Sequence, residues 1–231
     1  MGEISINPKF NIHETYKKVR ILNPYRNATP SGGTMPRQAS LIRFYKLNET
    51  TGDAIDETGI QNAVLYNAIV RDGSSYKGDG SSAYLDAGYT SETTKYTIAT
   101  RITTSSATNV QFIASKFISS SNRSIYFYTS SGSLIFQTSN ASVVYNNLTP
   151  DTTYDIVITC NNETSGTIKM YISKVLELTT ATTGGTATNI PLNLFRRNNN
   201  QYYGNMKIDY FALWDIELTQ SEINTIPEGS I

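Results

Sequence analysis

The chain has 231 residues, with 19 Lys and Arg against 19 Asp and Glu. That balance gives no net field to attract a phosphate backbone, so neither nucleic acid nor an anionic membrane is an expected partner. Charged residues make up only 16%, below the roughly 25% of an average domain, and Ser, Thr and Asn supply much of the polar surface, as suits an extracellular or virion-surface protein.

Catalytic chemistry has little to build on. Cys160 is the single cysteine and ends an apolar run, Tyr154 to Cys160, that reads as a buried strand. It forms no internal disulfide, and a thiol nucleophile would want a histidine beside it. The single histidine, His13, stands far upstream in an irregular leader. No apolar run approaches the ~20 residues that span a bilayer, so no membrane insertion is expected. The first twenty residues lack the apolar core of a secretory leader, and the expectation is that another route carries the protein to its place.

Residues 1–39 differ from the rest of the chain. Ile4, Ile6, Phe10 and Ile12 alternate with polar residues, and Pro24, Pro30, Pro36 and Gly32-Gly33 make the remainder of this segment a turn-rich linker. This predicts an extended arm that anchors the protein in a larger assembly by adding a strand to a neighbour's sheet, with a homo-oligomer as the expected state. From residue 40 to 231 the pattern is strands and turns. Strands are expected at residues 41–47, 63–65, 96–102, 110–117, 124–128, 134–137, 155–160, 167–172, 191–195 and 207–214. Each is rich in β-branched and aromatic residues and is bounded by Gly, Ser or Asn. Residues 161–166 read as a hairpin loop and residues 179–188 as a looser segment. Thr219 with Glu222 three residues on spells a capping box for a single helical turn. Strands at this spacing, with no parallel βαβ pattern, predict an all-β fold: a two-sheet antiparallel jelly-roll β-sandwich behind an extended N-terminal arm.

Several motifs resemble those of one family. Gly78-Asp79-Gly80 followed by Tyr84-Leu85-Asp86 resembles an F-x-G … Y-V element. Gly166 to Ile172 resembles the hairpin G-x-V-x-L-Y-V-N-G, with Ser173-Lys174 where a turn of Asn or Asp with Gly is usual. Gly204 to Trp214, with Leu218 and Glu222-Ile223, resembles the terminus G-x-I-D-x-V-x-I-Y … L-S-x-x-E-I. Residues 40–227 thus look like a laminin-G-like, concanavalin A-like jelly-roll domain. The resemblance implies a fold shared by glycan-binding modules, adhesion domains and glycanases. The glycanases carry paired acids resembling E-x-D-x-x-E, and here the last strand offers Asp209 alone. Asp151 and Asp155 are the nearest spaced pair, and Asp151 sits in a turn led by Pro150. The expectation is therefore a protein that is not an enzyme.

Two sites are expected. The acidic loop with Asp53, Asp56, Glu57 and Asn62, joined by Asp209 on the last strand, has the oxygen ligands calcium takes. The competing reading is that Asp56 and Asp79 cap turns. For sugar recognition, exposed aromatic faces flanked by amides and arginines are needed. The candidates are Arg196, Arg197, Asn199, Tyr202 and Tyr203 in one polar loop, with Tyr126 and Tyr128 on one strand face. Trp214 alternates with Ile208, Tyr210 and Ala212 and reads as core. The segment Asn23 to Arg26 with Thr29-Pro30 resembles stretches that precede such domains in bacteriophage structural proteins. The expected function is a non-catalytic display protein, a virion decoration, fibre or tail-associated subunit. Its arm would bind capsid or tail proteins, and its domain cell-surface polysaccharide, at the virion surface. The alternative is a carbohydrate-binding module of a secreted bacterial surface protein or glycanase.

Overall fold

The computed structural model describes residues 34–71, 73–90, 93–105, 109–184 and 189–227, so the expected arm as far as residue 33 lies outside the described residues. The alternating segments form β1 (Leu41–Tyr45), β2 (Val64–Tyr66), β3 (Val70–Arg71), β4 (Tyr76–Lys77), β5 (Tyr84–Tyr89), β6 (Lys95–Thr104), β7 (Gln111–Ser119), β8 (Asn122–Ser130) and β9 (Ser133–Gln137). They continue as β10 (Ser142–Tyr145), β11 (Thr153–Asn161), β12 (Thr164–Ile172), β13 (Val175–Thr183), β14 (Pro191–Leu194), β15 (Arg196–Arg197), β16 (Gln201–Tyr203) and β17 (Met206–Trp214), before the helix α1 (Gln220–Asn224).

Two antiparallel sheets face each other. The first runs β13-β12-β11-β6-β17-β4-β3, and β1 pairs with the end of β17. The second runs β10-β9-β8-β7-β14-β5-β2. The period-two alternation turns Ile98, Ile102, Ile156, Ile158, Phe127 and Phe136 into the space between them. This is the expected sandwich. Residues 179–183, the first half of what reads as a looser segment, instead belong to the edge strand β13 (Val175–Thr183). The turn before it has Ser173 at φ 48° and Lys174 at φ 65°, the left-handed pair of a two-residue hairpin turn between Ile172 and Val175.

A second apolar layer lies outside the first sheet. A bulge in β17 between Ile208 and Tyr210 reverses the alternation. Ile208, Phe211 and Leu213 therefore point into the sandwich, while Tyr210, Ala212 and Trp214 point out, under Met35, Leu218, Ile223 and Ile226. Trp214 is core, as expected, but on the face opposite Ile208. Its indole Nε1 donates to the Pro36 carbonyl at 2.8 Å. Met35 and Pro36, from the end of the segment expected as a linker, thus cover the indole. The helix end is as the sequence spells it: Thr219 and Glu222 form a reciprocal capping box.

The acidic loop folds back against β1, where Asp56 bridges to Tyr45. Asp56 is buried. Its Oδ1 accepts from the Phe44 N–H at 3.0 Å and from the Thr58 N–H and hydroxyl at 3.0 and 2.8 Å, and its Oδ2 accepts from the Gln61 N–H at 3.0 Å. Arg43, 3% exposed, comes within 4.0 Å of that carboxylate. Arg43 also donates to the carbonyls of Ile42, Ala87 and Tyr89 and to the Gln61 side chain, so it ties β1 in the first sheet to β5 in the second. Asp79 caps the next turn. Its Oδ1 accepts from the N–H groups of Ser81, Ser82 and Ala83, each at 2.8 Å. Desolvation works against its charge, but these donors and the Ser82 hydroxyl hold the carboxyl well below the usual range.

Asp56→Ala removes the carboxylate beside a buried guanidinium and leaves three backbone donors unanswered, and is expected to cost about 3–5 kcal/mol in urea denaturation. Asp79 has a lowered folded pKa, so its contribution is present above the unfolded value of about 3.9 and is lost as pH falls below it. Asp79→Asn is expected to lower stability at neutral pH and to flatten the acid limb of the stability profile.

Candidate functional site

On the second sheet the alternation that buries Ile125 and Phe127 sends Tyr126 and Tyr128 to the outer face, where both are half-buried. The chain leaves β14 at Phe195, whose φ of 63° drives its ring into the interior. Residues 196–203 then fold back over β7 as the hairpin β15–β16. Asn198 fixes this hairpin. Its Oδ1 accepts from the Ser115 hydroxyl at 2.5 Å and from the Phe117 N–H at 3.0 Å, while its Nδ2 donates to the Pro191 carbonyl at 2.7 Å. The approach is close enough to require glycine at the hairpin's end: a Cβ on Gly204 would stand 2.6 Å from the Phe112 carbonyl oxygen.

The result is one continuous aromatic and cationic cluster, with Phe112 and Phe117 buried beneath it. Phe112 packs against Tyr126 edge-on at 4.9 Å and against Tyr128 in a stack at 5.3 Å. Tyr126 meets Tyr128 at 5.0 Å and Phe117 at 4.9 Å. Tyr202, half of its surface exposed, closes over Phe112 at 6.4 Å. Arg197 lies 4.0 Å above the Phe117 ring and 5.5 Å from that of Tyr126, and Arg123 approaches Tyr126 at 5.3 Å. Beside this group, Arg196 sits 3.3 Å over Tyr84, which stacks on Tyr66 at 4.5 Å. Amides hold the arginines in place: Arg196 donates to Asn193 and Asn200 at 2.8 and 2.7 Å, and Arg197 to Gln201 at 3.5 Å. Burial raises the Tyr126 and Tyr128 phenols above their ordinary value, so both are neutral donors at physiological pH. Asn200 and Tyr202 carry φ of 60° and 56°, a strained conformation for non-glycine residues of the kind that clusters at ligand clamps.

Of the expected residues, Arg196, Arg197, Tyr202, Tyr126 and Tyr128 come together on this face. Asn199 is exposed beside them and donates to Gln201 at 3.1 Å. Tyr203 is half-buried and pairs in register with Arg196. The segment expected as a loop is a hairpin. Phe112, Phe117, Arg123 and Tyr84 are not among the expected residues. Phe112 and Phe117 have an accessible signal, two bulky aromatics in a strand whose neighbours already fill the core. Arg123 has the inward parity of Ile125 and Phe127, and only its position near the strand's start lets it reach Tyr126.

The calcium set does not assemble. Asp53 is exposed and accepts from the Leu65 N–H at 3.2 Å. Asp56 is spent on backbone donors, and Asp209 lies at the β17 bulge. Among the described residues no group of three or more His, Cys, Asp or Glu could hold a metal ion. Cys160 is buried, and burial pushes its thiol up to about 12, which leaves it inert. Asp155 pairs with Arg101 at 2.8 Å, and Asp151 occupies a turn at φ 55°. Among the described residues no helix is long and apolar enough to cross a membrane.

A sequence profile described as the concanavalin A-like lectin/glucanases superfamily (Laminin_G_3) matches residues 77–224. No curated protein sequence matches the chain. Among solved structures, it is similar to the receptor binding domain of botulinum neurotoxin C/D mosaic serotype, with a TM-score of 0.62 at 16% identity over 81% of this chain and 50% of that one. It is also similar to the botulinum neurotoxin serotype D ligand binding domain in complex with N-acetylneuraminic acid, with a TM-score of 0.57 at 16% identity over 81% and 50%. Trypanosoma rangeli sialidase matches at a TM-score of 0.63 and 13% identity over 81% and 32%. The chain spans about half the length of the neurotoxin domains and a third of the sialidase. At these identities the likeness is one of fold.

The thermal midpoint is expected to be the same in excess calcium and in EDTA. A calcium-dependent rise, which specific binding to the native state would produce, would overturn the structural reading of Asp56.

Proposed function

The chain belongs to the concanavalin A-like lectin/glucanases superfamily, and on that premise we propose that it is a non-catalytic, lectin-like binding protein for a cell-surface glycan. The observation that carries this reading is the outer face of the second sheet, where Tyr126, Tyr128 and Tyr202 share one surface with Arg197, Asn199 and Gln201. A pyranose has an apolar face that rings cover, and a rim of hydroxyls that amides and guanidinium groups bond. The structural neighbours lend support, since one of them is in complex with N-acetylneuraminic acid. The non-catalytic part is supported by how the acids are used. Glycoside cleavage needs two carboxyl groups about 5–10 Å apart across a substrate, and Asp56, Asp79 and Asp155 are engaged in turns and an ion pair. The setting we propose is a virion surface, with residues 1–39 as the anchor to capsid or tail proteins.

The test is a glycan array probed with the full chain and with Tyr126→Ala and Tyr202→Ala. Saturable binding to a subset of glycans is expected, weakened roughly tenfold by either variant, the size of one lost ring contact. A blank array would sink the glycan reading, and release of reducing ends from a bound polysaccharide would sink the non-catalytic one.

A further inference from the structure

The outer face carries three guanidinium groups, and the acid that shares its parity on β5, Asp86, accepts from the Gly88 N–H. Among the described residues no carboxylate pairs with Arg123, Arg196 or Arg197, whereas the buried Arg43 and the half-buried Arg101 each have one. Arg196 is the most engaged of the three, stacked on Tyr84 and bonded through both Nη groups to asparagine side chains, with its Nε alone unpartnered. Arg123 and Arg197 are engaged less. The Arg123 Nε donates to the Thr138 carbonyl at 2.8 Å, and no described residue accepts from its two Nη groups. Arg197 makes one long bond to Gln201, and its Nε is buried without a partner. Both approach the same ring, Tyr126, at 5.3 and 5.5 Å. Two like charges gathered about one ring repel each other, and an anion seated between them removes that cost.

We infer that the ligand of this face is an anionic sugar residue, its acid group bonded between Arg123 and Arg197 and its ring laid over Tyr126 and Tyr202. This rests on the glycan reading and adds the ligand's charge. The guanidinium fork suits a planar carboxylate, which accepts two parallel N–H bonds, and a sulfate ester presents the same oxygens. Tyr126 and Tyr128, kept protonated, supply hydroxyl donors beside the acid. A chain with no net charge gains little from long-range attraction, so selectivity for acid has to come from these local forks.

The test pairs the full-length protein with matched glycans: uronic-acid and sialic-acid oligosaccharides, their carboxyl-reduced forms, sulfated oligosaccharides and neutral ones, with a single-stranded oligonucleotide as the competing polyanion. Acid forms are expected to bind roughly tenfold or more tightly than their carboxyl-reduced partners, with an affinity that falls as salt rises. Arg123→Gln with Arg197→Gln should erase that discrimination while the far-ultraviolet spectrum and thermal midpoint show a folded protein. A preference for sulfated over carboxylated glycans supports the anion site and assigns its source to sulfate. Equal binding of acid and reduced forms would overturn the anion inference and leave the glycan reading standing. Binding of the oligonucleotide above any glycan, or of no glycan at all, would overturn both.

Discussion

Arg43 sits where the two sheets must be joined, and the position of much else depends on satisfying its charge. A guanidinium with 3% of its surface exposed is tolerated in the interior only if its donors find acceptors and a carboxylate stands near. The carbonyls of Ala87 and Tyr89 on β5, the Gln61 amide and Asp56 meet that demand. Asp56 in turn needs donors, and takes them from Phe44, Thr58 and Gln61. The loop from residue 54 to 63 therefore has one register, held at its neck by the reciprocal bonds between Ala54 and Ala63. Gly88 has the same origin: at φ 68° a Cβ would stand 2.0 Å from the Gln61 side chain. Such a network is no more stabilising than a well-packed apolar one. What it supplies is a fixed relation between β1 and β5.

That relation reaches the candidate face. β5 carries Tyr84, on which Arg196 is stacked, and β5 also pairs with β14, the strand that launches the hairpin. Phe195 in the interior and Asn198 on β7 hold the hairpin's two ends. The exposed rings thus stand on a backbone fixed from below and from the side. Rings and guanidinium groups that are already stacked lose little conformational freedom when a ligand arrives, which is the property a shallow surface site requires.

The sequence shows the parts of this arrangement governed by local rules. Alternation in β6, β8, β11 and β17 is visible because each strand has one face in the core, and the capping box is visible because both of its partners lie within four residues. Parity is lost at bulges. The extra residue between Ile208 and Tyr210 sends Trp214 to a second apolar layer, and no pattern within β17 marks the place. β13 is hidden for a different reason. It is an edge strand with mostly exposed side chains, so its composition of Thr and Leu reads as loop. The hairpin at residues 196–203 is hidden because its register is set by bonds to residues far away in the chain, Ser115 and Phe117.

The acidic loop and the arginine face show why residue type alone misassigns function. Both are clusters of charge, and in the sequence both read as ligand sites. In the fold the Asp56 oxygens are taken up by backbone N–H groups, the Thr58 hydroxyl and one buried guanidinium, and no group of three acids gathers among the described residues. On the arginine face the charges are supported by ring faces and neutral amides, which hold a guanidinium in place without neutralising it. A charge answered within the chain is committed to structure. Arg123 and Arg197 are answered only by quadrupoles and dipoles and keep donors free, and on this surface that is the physical mark of a group that meets its counter-charge from outside.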